Sequence, residues 1–327
     1  MKRVAAIFTG GTISMRVDPA AGGNVPALDG AGILAAAPGI ERLASIDVTD
    51  MGRTPASHFT YPQLFDIAAA IRSAQSDPAV DGVVVVQGTD VLEETAFFWD
   101  LVLDGRTPVV VTGAMRSASE DGYDGPRNLR DAVVAASSTS LGGEGVLVCL
   151  AGSVHAADDV TKTLALDTFQ SLNDGPVATI EDGELTILRR RIGRRHVATT
   201  TAAERVRLVT AHLGMDAAVI DALAAIGLDG LVVAATGSGN TTAGFLDAAR
   251  RVMAGGTPVV LATRCGAGAA GTGYAFPGGG ATWVRAGAML PGTLSGPKAR
   301  LALALGLGAG LDHASLAAML AGPAGPA

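Results

Sequence analysis

Apolar and polar positions recur along this chain in two forms. Unbroken apolar runs, Val4 to Phe8, Val83 to Val86, Val109 to Thr112 and Val146 to Leu150, read as buried strands. Helical spacing appears between them, over Pro62 to Ser73, Glu93 to Leu103 and Pro126 to Ala136. That alternation predicts β-α-β units and a mostly parallel sheet flanked by helices. Near Ile180 the pattern turns into a polar hairpin, Thr179 to Ile187, then an arginine run and a Thr/Ala-rich stretch. It then restarts with strands at Val206 to Thr210, Gly230 to Ala235 and Pro258 to Ala262. Helices are expected at Ala217 to Ile226, Thr241 to Ala254 and Pro297 to Leu305. The expected fold is α/β, with a larger N-terminal domain over residues 1–195, a linker over 196–205 and a smaller C-terminal α/β domain over 206–327.

Two polar turns stand where parallel strands should end. Thr9-Gly10-Gly11-Thr12-Ile13 follows the first run, and Gln87-Gly88-Thr89-Asp90 follows the second. Open α/β sheets bind ligands at such carboxyl ends. The ordinary reading of either turn alone is glycine for positive φ and threonine as a helix cap. Together they offer two hydroxyls, a carboxylate and free backbone N–H groups at one sheet edge.

Composition narrows the classes. The chain has 327 residues, 48% of them hydrophobic, enough for two domains with proper cores. A net charge of −7 argues against a nucleic-acid partner, which needs a basic surface. Arg189, Arg190, Arg191, Arg194 and Arg195 form the one basic run, expected to be a solvated strand end or linker. Cys149 and Cys265 read as buried or semi-buried thiols, with no disulfide or metal site implied. The apolar stretch after Met1-Lys2-Arg3 is too short for a secretory signal, and no run is long enough to span a bilayer, so a cytoplasmic location is expected.

The two threonine-bearing segments resemble the signatures of the L-asparaginase/glutaminase family. Further matches run in order: Val111 to Arg116, Asp124 to Leu129, Asp159 to Thr163, Gly237 to Asn240 and Gly296 to Arg300. The resemblance implies Thr12 as the nucleophile that forms an acyl intermediate, beside a hydrogen-bonded set of Thr89, Asp90 and Lys162. Gly11, Ser57, Gly88, Thr89, Asp90 and Asn240 are the implied substrate contacts, with Asp90 on the α-amino group and Ser57 on the α-carboxylate. It implies no cofactor, a homodimer or homotetramer, and L-asparagine or L-glutamine as substrate. Chemically, amide hydrolysis needs a nucleophile, a proton acceptor, oxyanion donors and clamps for the substrate's charged ends. Lys162, one of three lysines with Lys2 and Lys298, is a credible base. Its plainer role is to pair with Asp158 or Asp159.

This chain departs from the family in two regions. Asn24 stands where the family has a loop tyrosine, and a carboxamide is no substitute for a phenol in proton relay. Tyr274 is a candidate replacement, whose alternative role is packing. No acidic residue lies between Thr263 and Leu290, where a neighbouring subunit should supply one. The second region is the substrate clamp, where the family commonly has Ser followed by an acceptor or donor side chain. Here the stretch reads Pro55-Ala56-Ser57-His58-Phe59, Ser57 is the only nearby small hydroxyl for the α-carboxylate, and His58 is expected to be a loop or core residue. These losses keep other readings open: a glutaminase or other small-amide hydrolase, an amidotransferase subunit acting on charged tRNA, or an amino-acid-binding protein without turnover. A dinucleotide site is disfavoured, because Gly10-Gly11 lacks the G-x-G-x-x-G spacing.

Overall fold

The computed structural model describes residues 1–323; residues 324–327, the end of the expected second domain, lie outside the described residues. The chain divides into two compact units, Met1–Arg191 and Ile192–Ala327.

The first unit contains, in order, β1 (Lys2–Phe8), β2 (Met15–Asp18), β3 (Gly23–Pro26), α1 (Gly30–Ala35), β4 (Ala44–Asp50), α2 (Tyr61–Ser76), β5 (Gly82–Val86), α3 (Leu92–Val102), β6 (Val109–Thr112), α4 (Gly125–Ala136), β7 (Val146–Leu150), β8 (Ser153–Ala156), β9 (Val160–Lys162), β10 (Phe169–Ser171), β11 (Ala178–Glu181) and β12 (Glu184–Ile187). Eight of these strands form one sheet in the order β12-β11-β8-β7-β6-β5-β1-β4. The run from β4 to β7 is parallel, and β8, β11 and β12 continue it antiparallel. The chain passes from β1 to β4 on one side and returns to β5 on the other, so the sheet reverses direction between β1 and β5. Ligands favour the crevice outside such a switch point.

Period-2 side chains sort the core. Val4, Ala6, Phe8, Val84, Val86 and Val110 face a layer that includes Leu129, Ala132 and Val133 of α4. Ile7, Val83 and Val85 have the opposite parity and are also buried, so the sheet is covered on both faces. The layers are tight at Gly82, where a methyl group would fall 2.0 Å from the carbonyl oxygen of Ala136.

Several elements carried no clear signal. β4 is an edge strand with mostly exposed or half-buried residues, so it lacks an apolar run. β2 and β3 form a separate hairpin that pairs Val17 with Asn24. The basic run is a correction to the solvated reading. Arg191 has a side chain only 4% exposed, held by Asp100 and Asp158 at 2.9 Å each. Burial works against its charge, but the two carboxylates hold its pKa above the ordinary value.

The second unit contains β13 (Val206–Thr210), α5 (Ala218–Ala225), β14 (Gly230–Ala235), α6 (Ala243–Ala254), β15 (Val259–Thr263), α7 (Gly280–Arg285), α8 (Gly296–Gly308) and α9 (His313–Ala321). Its three strands are parallel, in the order β13-β14-β15. Arg195 is buried and donates to the carbonyls of Leu320 and Ala321, capping the end of α9. Both cysteines are free; Cys149 is buried, but Cys265 is exposed rather than semi-buried. Among the described residues no helix is long and apolar enough to cross a membrane.

Candidate active site

The first turn leaves β1 under tight constraint. Thr9 donates from its backbone N–H (2.9 Å) and its hydroxyl (3.1 Å) to Val86 O, holding the end of β1 against β5. Gly10 and Gly11 follow with φ near +100° and +96°, a region closed to most side chains. A methyl on Gly11 would lie 2.2 Å from Gly88 N, so the two turns touch backbone to backbone. A 3-10 turn, Thr12–Ser14, comes next and is closed by the Ser14 hydroxyl donating to Gly11 O at 2.7 Å. Behind it, the Tyr123 hydroxyl donates to Ile13 O at 2.7 Å. Burial, aided by the Asp124 charge, pushes the Tyr123 pKa up to about 12. Thr12 itself is half-buried, and the turn has no side-chain cap.

The second turn leaves β5 one strand away. Gln87 N donates to Thr112 O on β6, and its side-chain amide donates to the Thr95 hydroxyl of α3. Thr89 is 5% exposed and accepts a hydrogen bond from Lys162 Nζ at 3.0 Å. The Asp90 carboxylate lies 3.9 Å from the same nitrogen, with its side chain 65% exposed. α3 begins after Val91 and has no side-chain cap, so the Thr89 hydroxyl meets the lysine instead of capping the helix. Gly113, at the end of β6, adds a third close approach: a methyl there would meet Gln87 O at 2.5 Å.

Lys162 does not use the carboxylates nearest it in sequence. Asp158 pairs with Arg191, while Asp159 accepts from Asn173 and from the backbone of Asp174. The lysine is therefore left to Thr89 and Asp90. Its backbone N–H donates to Glu93 Oε2 at 2.7 Å. In the sequence Glu93 opens the helical segment after the second turn and has no expected part in the site; an acid in the first helical turn is explained by the helix dipole alone. Tyr123 carried no signal beyond its place before Asp124-Gly125-Pro126.

Other expected site residues fall in different places. Ser57 is exposed in a 3-10 turn, Ala56–His58, whose Ala56 packs on Gly88: a methyl on that glycine would be 3.1 Å from the Ala56 Cβ. His58 is exposed in the same turn. Asn24 is exposed in β3, part of a paired hairpin. Asn240 and Tyr274 belong to the second unit. The Asn240 backbone carbonyl accepts from Thr236, and its side-chain oxygen is buried without a hydrogen-bond partner. Tyr274 is 50% exposed and tilts against Phe276 with ring centroids 5.9 Å apart.

Residues 3–193 match the family model described as Asparaginase, N-terminal, and residues 205–320 match the Glutaminase/Asparaginase C-terminal domain. The chain belongs to the asparaginase family. A probable L-asparaginase of Deinococcus radiodurans is 37% identical over 319 residues, covering 96% of this chain and 95% of that protein. An L-asparaginase of Bacillus licheniformis is 29% identical, with 93% and 95% covered. Among solved structures, a probable cytoplasmic L-asparaginase from Campylobacter jejuni superimposes with a TM-score of 0.86 at 26% identity, covering 99% of this chain and 100% of that one. In this asparaginase-family chain the two signature turns sit at the sheet's switch point, where the chemistry of its polar side chains converges.

Proposed function

We propose that this chain hydrolyses L-asparagine to L-aspartate and ammonia through an acyl-enzyme on Thr12. Family membership makes it an amide hydrolase; the substrate and the residue roles are our reading. One observation carries it: the 3.0 Å bond from Lys162 Nζ to Thr89 Oγ1, on a turn whose backbone touches that of Gly11, the residue before Thr12.

In the first half-reaction the Thr12 oxygen attacks the carboxamide carbon. Its proton passes into the group formed by Thr89, Lys162 and Asp90 and is returned to the nitrogen, which leaves as ammonia. Water then adds to the acyl carbon and the ester bond breaks, releasing aspartate and restoring the hydroxyl. Asp90, largely exposed, is suited to hold the substrate's α-ammonium group, and Ser57 its α-carboxylate. The backbone N–H groups of Gly11 and Gly88 are assigned to contacts with the substrate at this junction of the two turns.

The relatives' names support an asparaginase, and the likeness to the Campylobacter protein, a probable cytoplasmic L-asparaginase, supports a cytoplasmic location. A homodimer or homotetramer, with Asn240 contributed across a subunit interface, follows from the resemblance. The test is ammonia release from L-asparagine and L-glutamine by the wild-type protein and by Thr12→Ala. Turnover of asparagine that vanishes in the variant supports the reading. A folded wild-type protein that releases no ammonia from either amide refutes it and points to binding without turnover.

A further inference from the structure

The segment carrying Lys162 is gripped from both ends by one side of α3. Glu93 and Asp100 are seven residues apart, two turns, so they leave the helix on the same side. Glu93 accepts the Lys162 N–H at 2.7 Å. Asp100 holds the Arg191 guanidinium at 3.1 and 2.9 Å, and Arg191 in turn holds Asp158 at 2.9 Å. Residues 158–162 are thereby referenced to a single rigid helix, the one that begins three residues after Thr89.

This grip matters because β9 lies outside the main sheet. It is three residues long and pairs only with β10, in a two-stranded sheet apart from the main one. So small a ladder has marginal stability alone. The main-sheet ladder therefore does not place Lys162 over the site. A first-turn glutamate needs no partner other than the helix dipole, yet Glu93 makes a short, charge-assisted bond to a backbone amide 69 residues away.

We propose that Glu93 is a positioning residue for catalysis: by fixing the Lys162 backbone, it keeps the ammonium group within reach of Thr89. The inference rests on the reading that Lys162 takes part in proton transfer. Displacement of a reacting group by about 1 Å lowers rates by roughly a hundredfold, and the Lys162 ammonium group magnifies any backbone shift at the end of a four-carbon stem.

Steady-state ammonia release from L-asparagine tests the proposal with Glu93→Gln, Glu93→Asp and Glu93→Ala beside Lys162→Met, with thermal melting to confirm the folded fraction. Glu93→Gln retains an acceptor oxygen and is expected within about threefold of wild-type kcat, the small change of a retained hydrogen bond. Glu93→Asp withdraws the acceptor by one methylene and Glu93→Ala removes it. Both are expected to lower kcat by about 10- to 100-fold with KM little changed. A structural role alone would lower the melting temperature and leave kcat of the folded protein intact. Wild-type kcat in the Asp and Ala variants, with Lys162→Met inactive, overturns this inference and spares the role of the lysine. Full turnover by Lys162→Met overturns both. Should Glu93→Ala fail to fold, the Gln and Asp variants decide on the same criteria.

Discussion

Gly11 and Gly88 meet backbone to backbone, with no room for a methyl group between them: a Cβ on Gly11 would fall 2.2 Å from Gly88 N. Gly11→Ala combines that overlap with a φ of +96°. It is expected to destabilise the protein by on the order of 3 kcal/mol or more and to abolish turnover. Gly88→Ala, whose added carbon meets the Ala56 side chain at 3.1 Å, should be milder. Urea denaturation of both variants checks the order, which the opposite ranking would refute.

Thr89→Val keeps the shape of a residue that is 5% exposed but deletes the acceptor for Lys162. Its kcat, and that of Lys162→Met, should fall by about a hundredfold or more, the scale of losing an acid–base group. Asp90→Ala should raise KM as well, since its exposed carboxylate is assigned to the substrate's ammonium group. Steady-state kinetics separates these patterns.

Tyr123→Phe leaves the buried Ile13 carbonyl without its 2.7 Å donor. A loss of about 1 to 2 kcal/mol is expected. The wild-type phenol titrates near 12 in the folded protein and near 10 when unfolded. Its contribution is therefore full below pH 10 and is lost as the pH rises toward 12. Stability measured across that window should fall less steeply in the variant.

His155 is buried, its Nδ1 lies 3.0 Å from the Ser171 hydroxyl, and burial lowers its pKa to about 4. Because the folded value lies below the unfolded one, its contribution is complete above pH 6.5 and is lost as the pH falls toward 4. His155→Gln should flatten the acid side of the stability profile across that range. Urea midpoints at pH 7, 5.5 and 4.5 provide the comparison, and parallel profiles would count against it.

Arg191→Met removes the guanidinium that balances the charge of Asp100, whose side chain is 1% exposed and also accepts from the Val146 N–H. Removing one member of a buried ion pair costs about 3 to 5 kcal/mol. Arg205→Ala breaks an equally short 2.8 Å pair with Asp229 at the surface, where solvent screens the interaction. Its denaturation midpoint should stay at the wild-type value, so burial and not pair length will separate the two variants.

Legibility followed locality. α2, α3 and α4 stand within three residues of their expected bounds, because each carries its own apolar face and start signal. β5 and β7 were visible as the apolar runs Val83 to Val86 and Val146 to Leu150, which are buried throughout. β4 was not, because an edge strand with few buried residues carries no unbroken apolar run. Arg191 was misread because nothing in a run of arginines marks the one that lies between Asp100 and Asp158.

By itself the sequence determined the principal helices, the buried strands and the placing of two threonine-bearing turns after apolar strands, since strand burial and glycine-rich turns are properties of neighbouring residues. Only the tertiary structure decided which groups those turns meet. Thr89 and Lys162 are 73 residues apart, as their hydrogen bond records. Local sequence offered Lys162 two adjacent aspartates, and folding assigned both of them elsewhere. Sheet order placed β1 beside β5, with Phe8 level with Val86. Side-chain partnership is a competition settled by distance and burial, and both are set by the packing of segments that are remote in the chain.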